Sequence, residues 1–146
     1  MDGEELFAKA MDTLKSGKRG EALDLLEQAV GLDRKPIFCS NLAVCLAKEK
    51  NDFKRAVSLC KEAIKSDPKN SIHFLHLGRV HLMANQKKEA IRIFCMGMRH
   101  SDNREIIAEL NRIGRRRPPI ISFLDRSNPL NRMLGKIFYK QKVRKS

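Results

Sequence analysis

Among the residue types that carry chemistry, this chain offers four histidines and four cysteines, and their spacing is the first thing to test. His73 and His76 stand three apart, so on a helix they share a face and could offer two imidazoles to a metal. No carboxylate or thiol falls at a spacing that would complete the ligand set, so the pair reads as packed side chains. Cys39, Cys45, Cys60 and Cys95 contain no CxxC pair and fall among apolar positions, which suits free thiols acting as small hydrophobes. The chain has no glycine-rich phosphate loop, no nucleophile elbow and no HExxH. No enzyme activity, cofactor or metal is expected.

Charge is the second chemical resource. The 146 residues carry a formal net charge of +13, and it is unevenly spread. Residues 1–104 hold 19 Lys/Arg against 14 Asp/Glu, whereas residues 105–146 hold 11 against 3. Positive charge of this kind suits anionic partners, and its concentration marks the C-terminal segment as chemically distinct.

The elements that carry these residues follow from a repeat. Glu21-Ala22-Leu23, Arg55-Ala56-Val57 and Glu89-Ala90-Ile91 are each 34 residues apart, and Ala29, Ala63 and Gly97 keep the same step. A fixed period of this size marks a solenoid of two-helix units, each burying its apolar face on the next. The copy from Ser71 to Arg104 places Phe74, Leu77, Gly78, His81 and Leu82 at helical spacing, then Ala90, Ile91, Phe94, Gly97 and Met98 likewise. Small residues such as Gly78, Ala90 and Gly97 fall where two helices cross and let them approach closely. Between the halves, Ser16-Gly17-Lys18, Lys50-Asn51-Asp52 and Ala84-Asn85-Gln86 are too short for anything but tight turns, with Gly or Asn for the left-handed residue. The fold class is all-α: 42% hydrophobic residues with only 5% aromatic and no Trp suit helices rather than sheets.

These landmarks resemble the tetratricopeptide repeat (TPR) family, with repeats at about 3–36, 37–70 and 71–104. Phe74, Leu77-Gly78, His81, Ala90, Phe94 and Gly97 match its pattern in the third copy, and Leu42-Ala43, Leu46, Phe53, Ala56, Ala63 and Asp67-Pro68 in the second. The first is the loosest, with Leu6, Ala10, Leu14, Gly17, Ala22, Ala29 and Asp33 in place and Lys9 where Leu is usual. His81 stands where the pattern has an inward aromatic. The resemblance implies a right-handed superhelical solenoid of antiparallel helix pairs that works as a scaffold or adaptor, holding a partner's peptide segment in a concave groove. On that pattern the groove carries Phe7 and Met11 from the first repeat, Asn41 with Ser40 and Val44 from the second, and Leu75, Arg79 and Met83 with Ile72 from the third. A well-known TPR subclass grips chaperone C-terminal carboxylates with Lys and Asn in the first repeat, Asn in the second, and Lys and Arg in the third. Here only Asn41 fits, because Phe7, Met11, Ile72 and His76 occupy the other places. One Asn cannot supply the converging charge-assisted bonds an anion needs, so a chaperone tail is not the expected ligand.

After the repeats, Asp102 and Glu105 form a capping-box pattern that predicts a capping helix over 103–114, ending at Gly114 and completing a repeat unit of residues 1–114. The remainder, 115–146, is a basic C-terminal extension. Asn128-Pro129 reads as a helix start. Leu130, Met133, Leu134, Ile137 and Phe138 then make an apolar stripe opposite Arg132 and Lys136, an amphipathic helix of about 129–142. The stripe needs a cover: the protein's own solenoid or a sister subunit (self-association through the tail), another protein, or an anionic membrane. The alternative function is thus a peripheral membrane or nucleic-acid binder acting through this tail, with nucleic acid disfavoured by the few aromatics available for stacking. The acidic start and the lack of any long apolar run suggest a cytoplasmic protein.

Overall fold

A computed structural model describes residues 1–116, which form seven helices and, among the described residues, no strand. They are α1 (Gly3–Lys15), α2 (Arg19–Leu32), α3 (Pro36–Lys50), α4 (Phe53–Ser66), α5 (Ser71–Met83), α6 (Lys87–Met98) and α7 (Arg104–Arg116). Pairs α1/α2, α3/α4 and α5/α6 are antiparallel hairpins; α3 also packs on α2 and α5, and α5 packs on both helices of the preceding unit, α3 and α4. The expected tail residues Leu130, Arg132, Met133, Leu134, Lys136, Ile137 and Phe138, and the expected 129–142 helix, lie outside the described residues.

Local chemistry sets the helix ends. Asp2 and Glu5 form a reciprocal capping box at α1; Asp52 accepts from the Arg55 amide at α4, and Asn70 accepts from the Ile72 amide at α5. Pro36 opens α3, where a missing N–H costs nothing. The three inter-helix turns take their left-handed residue from Gly17 (φ 80°), Asn51 (φ 52°) and Asn85 (φ 61°), the residues the sequence offers for it.

Close helix crossing depends on two glycines. A Cβ on Gly78 would lie 2.1 Å from the Phe94 ring, and one on Gly97 would lie 2.7 Å from the Phe74 Cβ. Phe94 is fully buried, so α5 and α6 meet with a ring edge against bare backbone. The interior runs continuously from α1 to α5 around Leu26, Phe38, Leu42 and Cys60, and passes into a second cluster of Leu75, Ile91, Phe94, Ile106, Ile107 and Leu110 beneath α7. Two bidentate pairs tie successive units from outside: Arg34 with Glu62 at 2.8 and 2.7 Å, and Arg55 with Glu27 at 2.5 and 2.9 Å. Both are largely exposed, so they fix register more than they add stability.

Two features of α7 differ from the sequence expectation. Its cap is Asn103, not Asp102: Asn103 Oδ1 accepts from the amides of Glu105 (3.0 Å) and Ile106 (3.2 Å), while its Nδ2 donates to Ser71 Oγ at 3.0 Å. Asn wins because one side chain both caps α7 and anchors it to the start of α5. The helix also continues through Gly114 to Arg116. A mid-helix glycine costs only about 1 kcal/mol relative to Ala, and two arginines with good helix propensity follow it.

Candidate partner-binding face

Helices α1, α3, α5 and α7 form one layer of the solenoid. Phe7 on α1 stacks on Phe38 of α3, ring centroids 4.7 Å apart at 25°. A polar cluster joins α3 to α5, and Arg79 joins α5 to α7. On this layer Phe7, Met11, Ile37, Val44 and Met83 are half-buried, packed on the core while leaving part of their surface uncovered, and Ile72 is 38% exposed. The groove candidates Phe7, Met11, Asn41, Val44 and Met83 therefore sit on one layer with accessible surface.

Two candidates do other work. Leu75 is only 2% exposed and belongs to the cluster with Ile106, Ile107 and Leu110, so it is core and not a contact residue. Helical spacing alone could not show this, because the covering element, α7, lies outside the repeat. Arg79 is a strut: its Nε donates to Glu109 Oε1 at 3.0 Å and its Nη2 to Glu105 Oε2 at 3.1 Å, with Arg112 also donating to Glu109 at 2.9 Å. Its charge is already compensated by α7. Asn41 uses its Nδ2 on the Ile37 carbonyl of its own helix at 2.8 Å.

Ser40, which the pattern placed in the groove, is fully buried at the centre of an unforeseen network. His73 Nδ1 and His76 Nδ1 each lie 3.0 Å from Ser40 Oγ, and His73 Nε2 lies 3.1 Å from Asp67 Oδ2. One assignment satisfies every contact. His73 Nε2–H donates to the Asp67 carboxylate, leaving His73 Nδ1 to accept the Ser40 hydroxyl proton, while His76 Nδ1–H donates to Ser40 Oγ. Asp67 also accepts from Asn70 Nδ2 at 3.1 Å. The Asn70 and His73 bonds hold its carboxyl below the usual carboxylate range. Burial, reinforced by the nearby cations Arg79 and Lys48, pushes the His76 imidazole down to about 4. The order Ser, His, Asp matches a nucleophile with its base and orienting acid, but the hydroxyl is enclosed and shared with a second imidazole. The usable sequence signal was the repeat itself: residues about one period apart on α3 and α5 face each other.

His81 is buried, as its place in the pattern implies, and its Nδ1 lies 2.7 Å from Gln86 Oε1 at the following turn. All four cysteines are free and buried. Burial pushes the thiols of Cys45 and Cys95 up to about 11 and that of Cys60 up to about 12. Among the described residues no group of three His, Cys, Asp or Glu could hold a metal ion, and no helix is long and apolar enough to cross a membrane.

An all-helical solenoid of antiparallel pairs with an apolar inner layer defines a helical-repeat protein. A family model, Tetratricopeptide repeat, matches residues 7–71 and 41–95, and the chain belongs to the tetratricopeptide repeat family. Solved structures agree on the fold. The first TPR of Spaghetti (RPAP3), solved bound to the HSP90 peptide SRMEEVD, is 22% identical with a TM-score of 0.66, covering 80% of this chain and 98% of that one. The Arabidopsis OM64 TPR domain is 20% identical with a TM-score of 0.67, covering 79% and 96%. The Sgt2 TPR domain from Aspergillus fumigatus is 19% identical with a TM-score of 0.63, covering 87% and 89%. No curated protein matches the chain in sequence.

Proposed function

We propose that this protein is a non-enzymatic interaction module, a scaffold or adaptor that holds a segment of a partner protein along α1, α3 and α5. The observation that carries this reading is the row of partly uncovered apolar side chains, Phe7, Met11, Ile37, Val44, Ile72 and Met83, on one layer of a TPR solenoid. Contiguous apolar surface rimmed by polar groups is what a peptide-binding groove requires. In this reading residues 1–114 are the repeat unit, and the basic 115–146 extension is a separate region available for self-association. Four free, buried thiols support a reducing compartment such as the cytoplasm.

The ligand differs from the HSP90 peptide bound by the Spaghetti domain. Of the residues at the carboxylate-gripping places, Asn41 commits its amide to its own helix, His76 is bound to Ser40, and Phe7, Met11 and Ile72 are apolar. Fluorescence anisotropy with labelled SRMEEVD is expected to show no saturable binding at micromolar protein, and saturation there would overturn this exclusion. The groove itself is tested with the full chain carrying Met11→Glu and Val44→Glu. Partner capture should fall at least about tenfold, since two charges would be desolvated in an apolar contact, while helicity is retained. Undiminished capture would sink the reading.

A further inference from the structure

The groove does not account for the most unusual property of the chain, its positive charge. Part of that charge lies on the described outer layer in an ordered arrangement. The exposed faces of α4 and α6 carry Lys54, Lys61 and Lys65, and Lys88, Arg92 and Arg99 at the end of α6. On α4 the spacing is i, i+7, i+11, and on α6 it is i, i+4, i+11; both draw a line down one side of a helix, the ends about 16 Å apart at 1.5 Å per residue. The two lines are in phase. Lys54 and Lys88 are 34 apart, as are Lys65 and Arg99, so the repeat sets these two cations of α4 at the places their counterparts hold on α6, while Lys61 and Arg92 fall between them without a cationic counterpart. Within α4 and α6 the only acids are Glu62, held by Arg34, and Glu89, 4.0 Å from Arg92. Helix α2 breaks the pattern: Gly20 and Gly31 stand at the equivalent places, among Glu21, Asp24 and Glu27.

We propose that the outer faces of α4 and α6 form a docking surface for an anionic phospholipid bilayer. The cations make a two-dimensional array, which matches a plane of headgroup phosphates better than the single line of one nucleic-acid strand. Met96, 39% exposed, sits between Arg92 and Arg99; an apolar side chain there contributes in a lipid interface and has no partner on a phosphate backbone. No exposed aromatic lies on either face to stack on bases. The surface is on the layer opposite the groove, so one chain holds a protein segment and a membrane together.

The test is co-sedimentation of the full chain with vesicles of phosphatidylglycerol and phosphatidylcholine, against pure phosphatidylcholine, at 0.15 M salt. Two quadruple variants remove the same charge: Lys54→Gln, Lys65→Gln, Lys88→Gln and Arg99→Gln on the face, and Lys9→Gln, Lys15→Gln, Lys48→Gln and Lys50→Gln on α1 and α3. Each Lys or Arg at an anionic surface is worth about fivefold, so the face variant should lose roughly several hundredfold in partition coefficient. The control should lose less than about fivefold, because its charges lie on helices of the other layer and a screening length of about 8 Å confines the attraction to cations near the bilayer. Should the face variant lose helicity, the pair Lys65→Gln and Arg99→Gln, expected to cost about twentyfold, replaces it. Equal losses in both quadruple variants would reduce the effect to net charge and overturn the proposal, as would no loss in either. Binding of homopolymeric RNA that depends on this face, without vesicle binding, would assign it to nucleic acid instead.

Discussion

Lowering the pH from 8 to 5 should destabilise this protein through one side chain. His76 is 9% exposed, with Ser40 at its Nδ1 and the cations Arg79 and Lys48 nearby, and its imidazole titrates at about 4 instead of the ordinary 6.5. The native state therefore holds it neutral while the unfolded chain protonates it. The stability it contributes is present above 6.5 and is lost as pH falls towards 4. Integrating between those two values gives a loss of about 2 kcal/mol by pH 5. Carboxylates contribute little in this window, because the groups held low, Asp67 and Glu62, titrate below their ordinary values of 3.8 and 4.5. Urea unfolding followed by circular dichroism at pH 8, 6.5 and 5 measures the slope, and His76→Phe supplies the comparison by keeping an aromatic in place without a titrating group. The expected result is a steep wild-type profile and a much flatter variant. Overlapping profiles, or a wild type flat down to pH 5, would refute the argument that burial sets the His76 proton affinity.

Three other outcomes follow from particular contacts. Gly78→Ala should cost about 1–3 kcal/mol, because its Cβ meets the fully buried Phe94 ring, whereas Gly31→Ala, with nothing within 4 Å, should add about 0.5 kcal/mol through helix propensity; thermal melts of both compare them directly. Arg79→Ala should leave Glu109 to Arg112 alone and loosen α7, seen as roughly tenfold faster hydrogen exchange at Ile106–Leu110 with α1 to α4 unchanged. The four thiols should react with Ellman's reagent only as fast as the protein opens, since burial both shields them and raises their proton affinity, so prompt labelling of any of them in the native state would contradict the packing.

Much of the scaffold was legible because the repeat states it several times over. A small residue at each crossing and a Gly or Asn in the turn within each repeat recur at a 34-residue step, and each has a local physical cause. Where the repeat stops, legibility stops with it. Leu75 resembles its groove neighbours in spacing and differs only because α7 covers it; Asn103 displaced Asp102 as the cap because Ser71, 32 residues away, offered its side chain a second partner. The Ser40 network was hidden for a related reason. A serine at a groove position and two histidines read separately as unremarkable, and only the apposition of α3 and α5 makes each the partner of the others.

In the proposed groove, the Arg79 network would also bear on what kind of segment is taken. A ligand carboxylate seeking that guanidinium must displace Glu105 and Glu109, which are tethered beside it on α7 and so compete at an effective concentration near the millimolar range. Binding an anion there would therefore be coupled to loosening of α7, and by linkage anything that holds α7 in place would weaken the anion's hold by the same factor. An apolar segment lying on Phe7, Met11, Val44 and Met83 meets no such competition, because those side chains have no polar partner to surrender. On the proposed reading, selectivity for apolar over anionic segments would depend on the two α7 carboxylates that neutralise Arg79 as well as on the residues lining the groove.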